Sequence, residues 1–69
     1  MNKNWFLLCS TKDTVYASIL QGMLEENQIP VLALNKLDSS YLAFGYIEVY
    51  VPFSYKETAQ LLMQNGLLN

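Results

Sequence analysis

Cys9 is the only thiol in the chain, and no histidine accompanies it. A cysteine nucleophile acts as the thiolate, which needs a base or an electropositive setting. The nearest lysine in sequence is Lys12, so Cys9 reads first as a small packing side chain. Glu48 is the sole charge in YLAFGYIEVYVPFSY, Tyr41 to Tyr55, a stretch that holds four of the five tyrosines. A carboxylate between Tyr46 and Tyr50 can be raised in pKa by the rings and act as an acid. No second carboxylate is fixed nearby by the sequence, which favours a solvated strand charge. Asp38, Ser39 and Ser40 offer one carboxylate and two hydroxyls, short of the roughly 6–8 oxygens that calcium takes; turn chemistry explains them. Zinc would lack both cysteine and histidine partners. Phosphate binding finds four lysines (Lys3, Lys12, Lys36, Lys56), no arginine for a bidentate clamp, and no glycine-rich loop among three glycines. No catalytic, cofactor-binding or metal-binding residue is assigned, and no cofactor is expected.

The elements that must position these side chains fit one domain, residues 1–69. Charged residues make up 14% of the chain, against about 25% in an ordinary soluble domain. A core this small supplies only about 3–5 kcal/mol, and one cysteine permits no internal disulfide. Association with another chain is the expected source of further stability. The apolar run Trp5–Cys9 is too short for a secretory h-region, so lipoprotein processing is not expected and the cytoplasm is the default. No segment approaches the ~20 apolar residues of a membrane span.

WFLLCS reads as a strand that ends in polar STKDT. Ser10 or Thr11 is the expected N-cap of the helix that follows, with Asp13 in its first turn. Val15, Tyr16, Ile19, Leu20, Met23 and Leu24 form its apolar side, and Thr14, Ser18, Gln21 and Glu25 oppose them. Asn27 is the expected left-handed stop, and Pro30 prevents continuation. PVLALN is a second strand, and KLDSSYLAFG is a loop or a wide hairpin connection, punctuated by Gly45. YIEVYV alternates strictly, with Ile47, Val49 and Val51 on one face and Tyr46, Glu48 and Tyr50 on the other. Ser54 and Glu57 suggest a capping box for a second helix. Its inner stripe is Tyr55, Thr58, Ala59 and Leu62, and Gly66 is its C′ stop. The expected fold is α+β: a two-layer β-α-β-β-α sandwich, sheet order 1-3-2, with both helices on the Ile47–Val49–Val51 face. This is the ferredoxin-like plan without its last strand. Strand 1 is then an open edge with no charge or proline to blunt it.

YASILQGMLEENQIPVLALNK followed by IEVYVPFSYKETAQLLM resembles the small prokaryotic family of signal-transducing proteins, a domain of unknown function. Thr11, Ala17, Leu24, Ile29, Pro30, Val51, Pro52 and Ala59 stand at the positions of its pattern, which spans nearly the whole chain. The resemblance implies a PII-like, ferredoxin-type fold in a bacterial protein with a binding role, and identifies no ligand. Two positions depart from it. Tyr16 stands where the family usually has Glu, which weakens any role for that carboxylate. Gln28 stands where it has Gly, which hands the helix stop to Asn27. The nucleotide chemistry of PII proteins carries over to no residue here.

Three function classes follow. The favoured one is a non-catalytic interaction or regulatory module in signal transduction. It is expected to be a homo-oligomer, a dimer by preference, that binds a protein or small molecule through Tyr41, Tyr46, Glu48 and Tyr50 on the helix-free sheet face. The second is single-stranded nucleic-acid binding on the same rings, opposed by a net charge of −2 and the absent arginine. The third is an enzyme using Cys9 or Glu48.

Overall fold

The computed structural model describes residues 4–36 and 46–67. Strands β1 (Trp5–Thr11), β2 (Leu32–Asn35) and β3 (Ile47–Pro52) form one antiparallel sheet in the order β1-β3-β2, with helices α1 (Thr14–Glu26) and α2 (Lys56–Leu67) beside it. This α+β arrangement is compatible with a small ferredoxin-like fold. Residues 37–45, and with them Tyr41 and most of the segment expected as a loop, lie outside the described residues.

The alternation of IEVYVP sorts the sheet. Ile47, Val49 and Val51 are buried with Ala17, Leu20 and Leu24 from α1, Ile29, and Ala59 from α2. Both helices therefore cover this one face, as expected. Leu20, Leu24, Val49 and Val51 are essentially inaccessible; each such burial stabilises by roughly 1.5–3 kcal/mol.

β1 departs from simple alternation. Phe6 pairs with Val51 and Leu7 with Tyr50, but Cys9 pairs with Val49, so Leu8 is an extra residue in the ladder. Such a bulge sets two residues against one and resets the alternation. Phe6, Leu8 and Cys9 all pack against the core, while Ser10, opposite Glu48, faces outward. Without the bulge, Ser10 would be driven into the core and Cys9 out of it. The bulge also blunts the edge that the sequence leaves unprotected.

Helix ends differ from the sequence expectation in four places. Asp13, not Ser10 or Thr11, is the N-cap of α1: its Oδ1 accepts from the N–H groups of Val15 (3.0 Å) and Tyr16 (3.1 Å). Thr11 closes β1, and its Oγ1 accepts from the Asp13 N–H at 3.0 Å. At the other end Asn27 keeps negative φ (−95°), and Gln28 takes the left-handed position at φ 61°. The N–H of Gln28 donates to Glu25 O and that of Ile29 to Leu24 O, both at 3.0 Å. These two bonds define a Schellman stop, and Leu24 and Ile29 bury together beneath it. α2 is entered through a 3₁₀ turn, Phe53–Tyr55, that contains Ser54. Among the described residues Ser54 makes no side-chain bond to Glu57, so the capping box does not form. α2 extends to Leu67, which places Gly66 inside the helix rather than beyond it.

The helix stripes are also rotated. Val15 (64% exposed) and Ile19 (51%) face away from the core, where Ala17 takes the inner position. A small residue there lets α1 approach the sheet more closely than a branched one. In α2, Ala59 is buried with Leu62 and Met63 against the core, while Tyr55 and Thr58 are exposed. Tyr55 is therefore not a core residue.

Candidate functional site

The face opposite the helices is built by the pairing register. Residues directly opposite in an antiparallel sheet point to the same side. Leu7, Tyr50 and Leu32 form one cross-strand row, and Ser10, Glu48 and Leu34 form the next; Trp5 and Pro52 pair beyond the first. Leu7 is 43% exposed, and Leu32 and Leu34 are 37% exposed. This face is thus an apolar row beside a row whose centre is a carboxylate.

Glu48 is held from two sides. The Tyr50 hydroxyl donates to its Oε1 at 2.9 Å, and Lys36 Nζ lies 3.1 Å from the same oxygen. The chain delivers Lys36 by extending the ladder one step past β2: its N–H donates to the Tyr46 carbonyl at 2.9 Å. Tyr46 is exposed, and Lys12 Nζ stands 5.5 Å from its ring centroid, within cation–π range. Lys12 reaches it because Thr11 pairs with Ile47, which puts the residue after β1 beside the residue before β3. The structure therefore brings together Tyr46, Glu48 and Tyr50 and adds Lys12 and Lys36. The sequence pattern marked both lysines only as members of a sparse basic set. Both follow directly on the last residues of β1 and β2, level with Tyr46, a placement that only the pairing of the strands reveals.

The electrostatics run against an acid role for Glu48. Its bond to Lys36, then its bond to Tyr50, hold the carboxyl below its ordinary pKa, so it is a fixed anion at neutral pH. Tyr50 is pushed up because its proton is engaged by that anion.

Cys9 sits on the other side of the sheet, away from this cluster. Burial pushes its thiol up, and a hydrogen-bonding interaction with Tyr16 pulls part of the way back. Tyr16 is raised in turn by its own burial and by the thiol. A protonated, half-buried sulfur is the reverse of an activated nucleophile. Tyr16 thus engages the Cys9 thiol.

The described residues form no pocket and no cluster of three metal-ligating side chains, and none of their helices is long and apolar enough to cross a membrane. Asp38, Ser39 and Ser40 lie outside the described residues. No family model, curated protein or solved structure matches the chain.

Proposed function

We propose that this chain is a small non-catalytic interaction module whose helix-free sheet face is its contact surface. One observation carries the reading. An apolar row, Leu7–Tyr50–Leu32, lies partly exposed on the face that neither helix covers, beside a carboxylate pinned in one place by two bonds. Tyrosine suits such a surface, because it buries a large area with few rotatable bonds and keeps a polar tip. An open surface with a fixed charge suits recognition better than turnover, which favours an enclosed site. The regulatory, signal-transducing role, the PII-like form of the fold and a cytoplasmic, bacterial setting belong to the same proposal and rest on the family resemblance. Tyr46, Glu48 and Tyr50 are its contact residues, with Tyr41 as the sequence-based fourth.

The test is the double replacement Tyr46→Ser with Tyr50→Ser, checked for folding by circular dichroism. The expected result is a folded protein of lower solution mass, or one that has lost its ligand if the parent is a monomer. A folded variant with unchanged mass and unchanged binding would make these tyrosines ordinary surface residues. Single-stranded nucleic acid as the occupant would show as binding that weakens steeply with salt.

A further inference from the structure

Two bonds converge on Glu48 Oε1, while Oε2 has no partner among the described residues. A carboxylate offers about four acceptor sites and an ammonium three donors, so the Lys36–Glu48 pair leaves both an acceptor and donors unfilled, side by side. Covering such a pair with an apolar partner would strand them at a cost. A partner that carries the same pair in reverse fills both. We infer that the partner of the open face is a second copy of this chain, stacked sheet on sheet about a twofold axis that runs parallel to the strands. The inference rests on the reading of this face as the contact surface.

The rows select the axis. A twofold parallel to the strands and midway between the sheets keeps each row level with its copy and exchanges the two edges. β3 then lies over β3, and β1 over the mate's β2. The Leu7–Tyr50–Leu32 row meets Leu32–Tyr50–Leu7 of the mate, apolar on apolar. The Ser10–Glu48–Leu34 row meets itself reversed. Glu48 and its copy flank the axis, with one Lys36 on each side, which makes a ring of alternating charge in which every lysine meets both carboxylates. The perpendicular in-plane axis would shift Glu48 toward the Trp5–Pro52 end of the mate, which offers the neutral indole N–H of Trp5 in place of a second lysine. Sheets stacked in this way sit about 10 Å apart and within about 30° of parallel, which lets their side chains interdigitate. Edge-to-edge pairing is the poorer route. The β1 edge is interrupted by the bulge at Leu8 and the β2 edge has only four residues, both features that discourage strand addition. The low charge content and small core of the chain favour a lasting contact with its own kind.

A charge exchange tests this. Solution mass is measured by sedimentation for the wild type, Lys36→Glu, Glu48→Lys and an equimolar mixture of the two variants, with circular dichroism as the folding control. The wild type is expected at the mass of two chains and each variant at the mass of one. The mixture is expected to return to two, because one chain then carries acids at both positions and the other bases at both. Within each variant chain the like-charge pair persists in the mixture, so recovery can only come from pairing across the axis. A one-chain mass for the wild type overturns the proposal, as does a mixture that stays at one chain. If both variants remain dimeric while Tyr46→Ser with Tyr50→Ser dissociates, the contact face stands and the charge ring falls. If all of them remain dimeric, the interface lies elsewhere and both readings fall.

Discussion

The two faces of the sheet are made from the same strands and hold their side chains by opposite means. On the covered face, position is set by close packing: Val49 and Val51 are sealed by two helices, each of which brings an alanine to the core. On the open face, position is set by directed bonds: Lys36 and Tyr50 pin Glu48 between half-exposed leucines. The difference teaches where stability and recognition are separated in so small a domain. Substitutions on the covered face should read out as folding, and those on the open face as association.

The largest effect expected follows from that division. Leu24→Ala removes a fully buried side chain that closes both the core and the Schellman stop. Buried leucine truncations cost about 2–5 kcal/mol, comparable with the roughly 3–5 kcal/mol that so small a core supplies. The variant is expected to be largely unfolded in a urea titration. Leu32→Ala, half-exposed on β2, should move the midpoint of the isolated monomer by under about 1 kcal/mol. Equal losses at the two positions would erase the distinction between the faces.

A smaller effect, of opposite sign, is expected at the turn that delivers Ile29 to the covered face. Gln28 holds φ 61°, a conformation that costs a residue with a Cβ about 1–2 kcal/mol. Glycine loses more backbone freedom on folding, which offsets part of the gain. Gln28→Gly should therefore stabilise by up to about 1 kcal/mol, read as a higher urea midpoint. By contrast Asp13→Ala, which removes the true N-cap of α1, should destabilise by about 1 kcal/mol.

These positions also show how far the fold was legible in the sequence. The strict alternation from Ile47 to Val51 and the amphipathic segment around Leu20 and Leu24 specify the elements, the order β1-β3-β2 and the covered face. The bulge was not legible, because WFLLCS is apolar at every position up to Ser10 and any register buries something. Caps were legible in kind but not in place: Thr11, Asp13, Ser54, Asn27 and Gly66 all have cap chemistry, and tertiary geometry chose Asp13 and passed the left-handed position to Gln28. Of the candidate site, the strand period gave Tyr46, Glu48 and Tyr50. Lys12 and Lys36 enter through the pairing of strands distant in sequence, which no local pattern records. Tyr55 was misplaced because the 3₁₀ turn resets the helical phase before α2 begins.

The last and smallest effect separates the faces by pH. Glu48 on the open face has its pKa lowered in the folded chain by Lys36 and Tyr50. Below its folded pKa the carboxyl is neutral in both states and the contribution is gone; above its unfolded pKa, near about 4.3, the contribution is complete. Its share of stability is therefore lost as pH falls through the acid range. Cys9 on the covered face has its pKa raised, chiefly by burial. Between the unfolded thiol value, about 8.5, and the higher folded value, the unfolded chain releases a proton that the folded chain keeps. Stability therefore falls as pH rises through the alkaline range. Urea midpoints measured across pH should decline at both ends. Glu48→Gln should flatten the acid limb and, by removing the anion that holds the Tyr50 proton, also trim the alkaline limb at its upper end, while Cys9→Ala should reduce the alkaline slope from its lower end, with Tyr16 and Tyr50 supplying what remains at higher pH. An alkaline limb unchanged by Cys9→Ala would mean that the thiol titrates alike in both states, and that the covered face is more open to water at β1 than its packing implies.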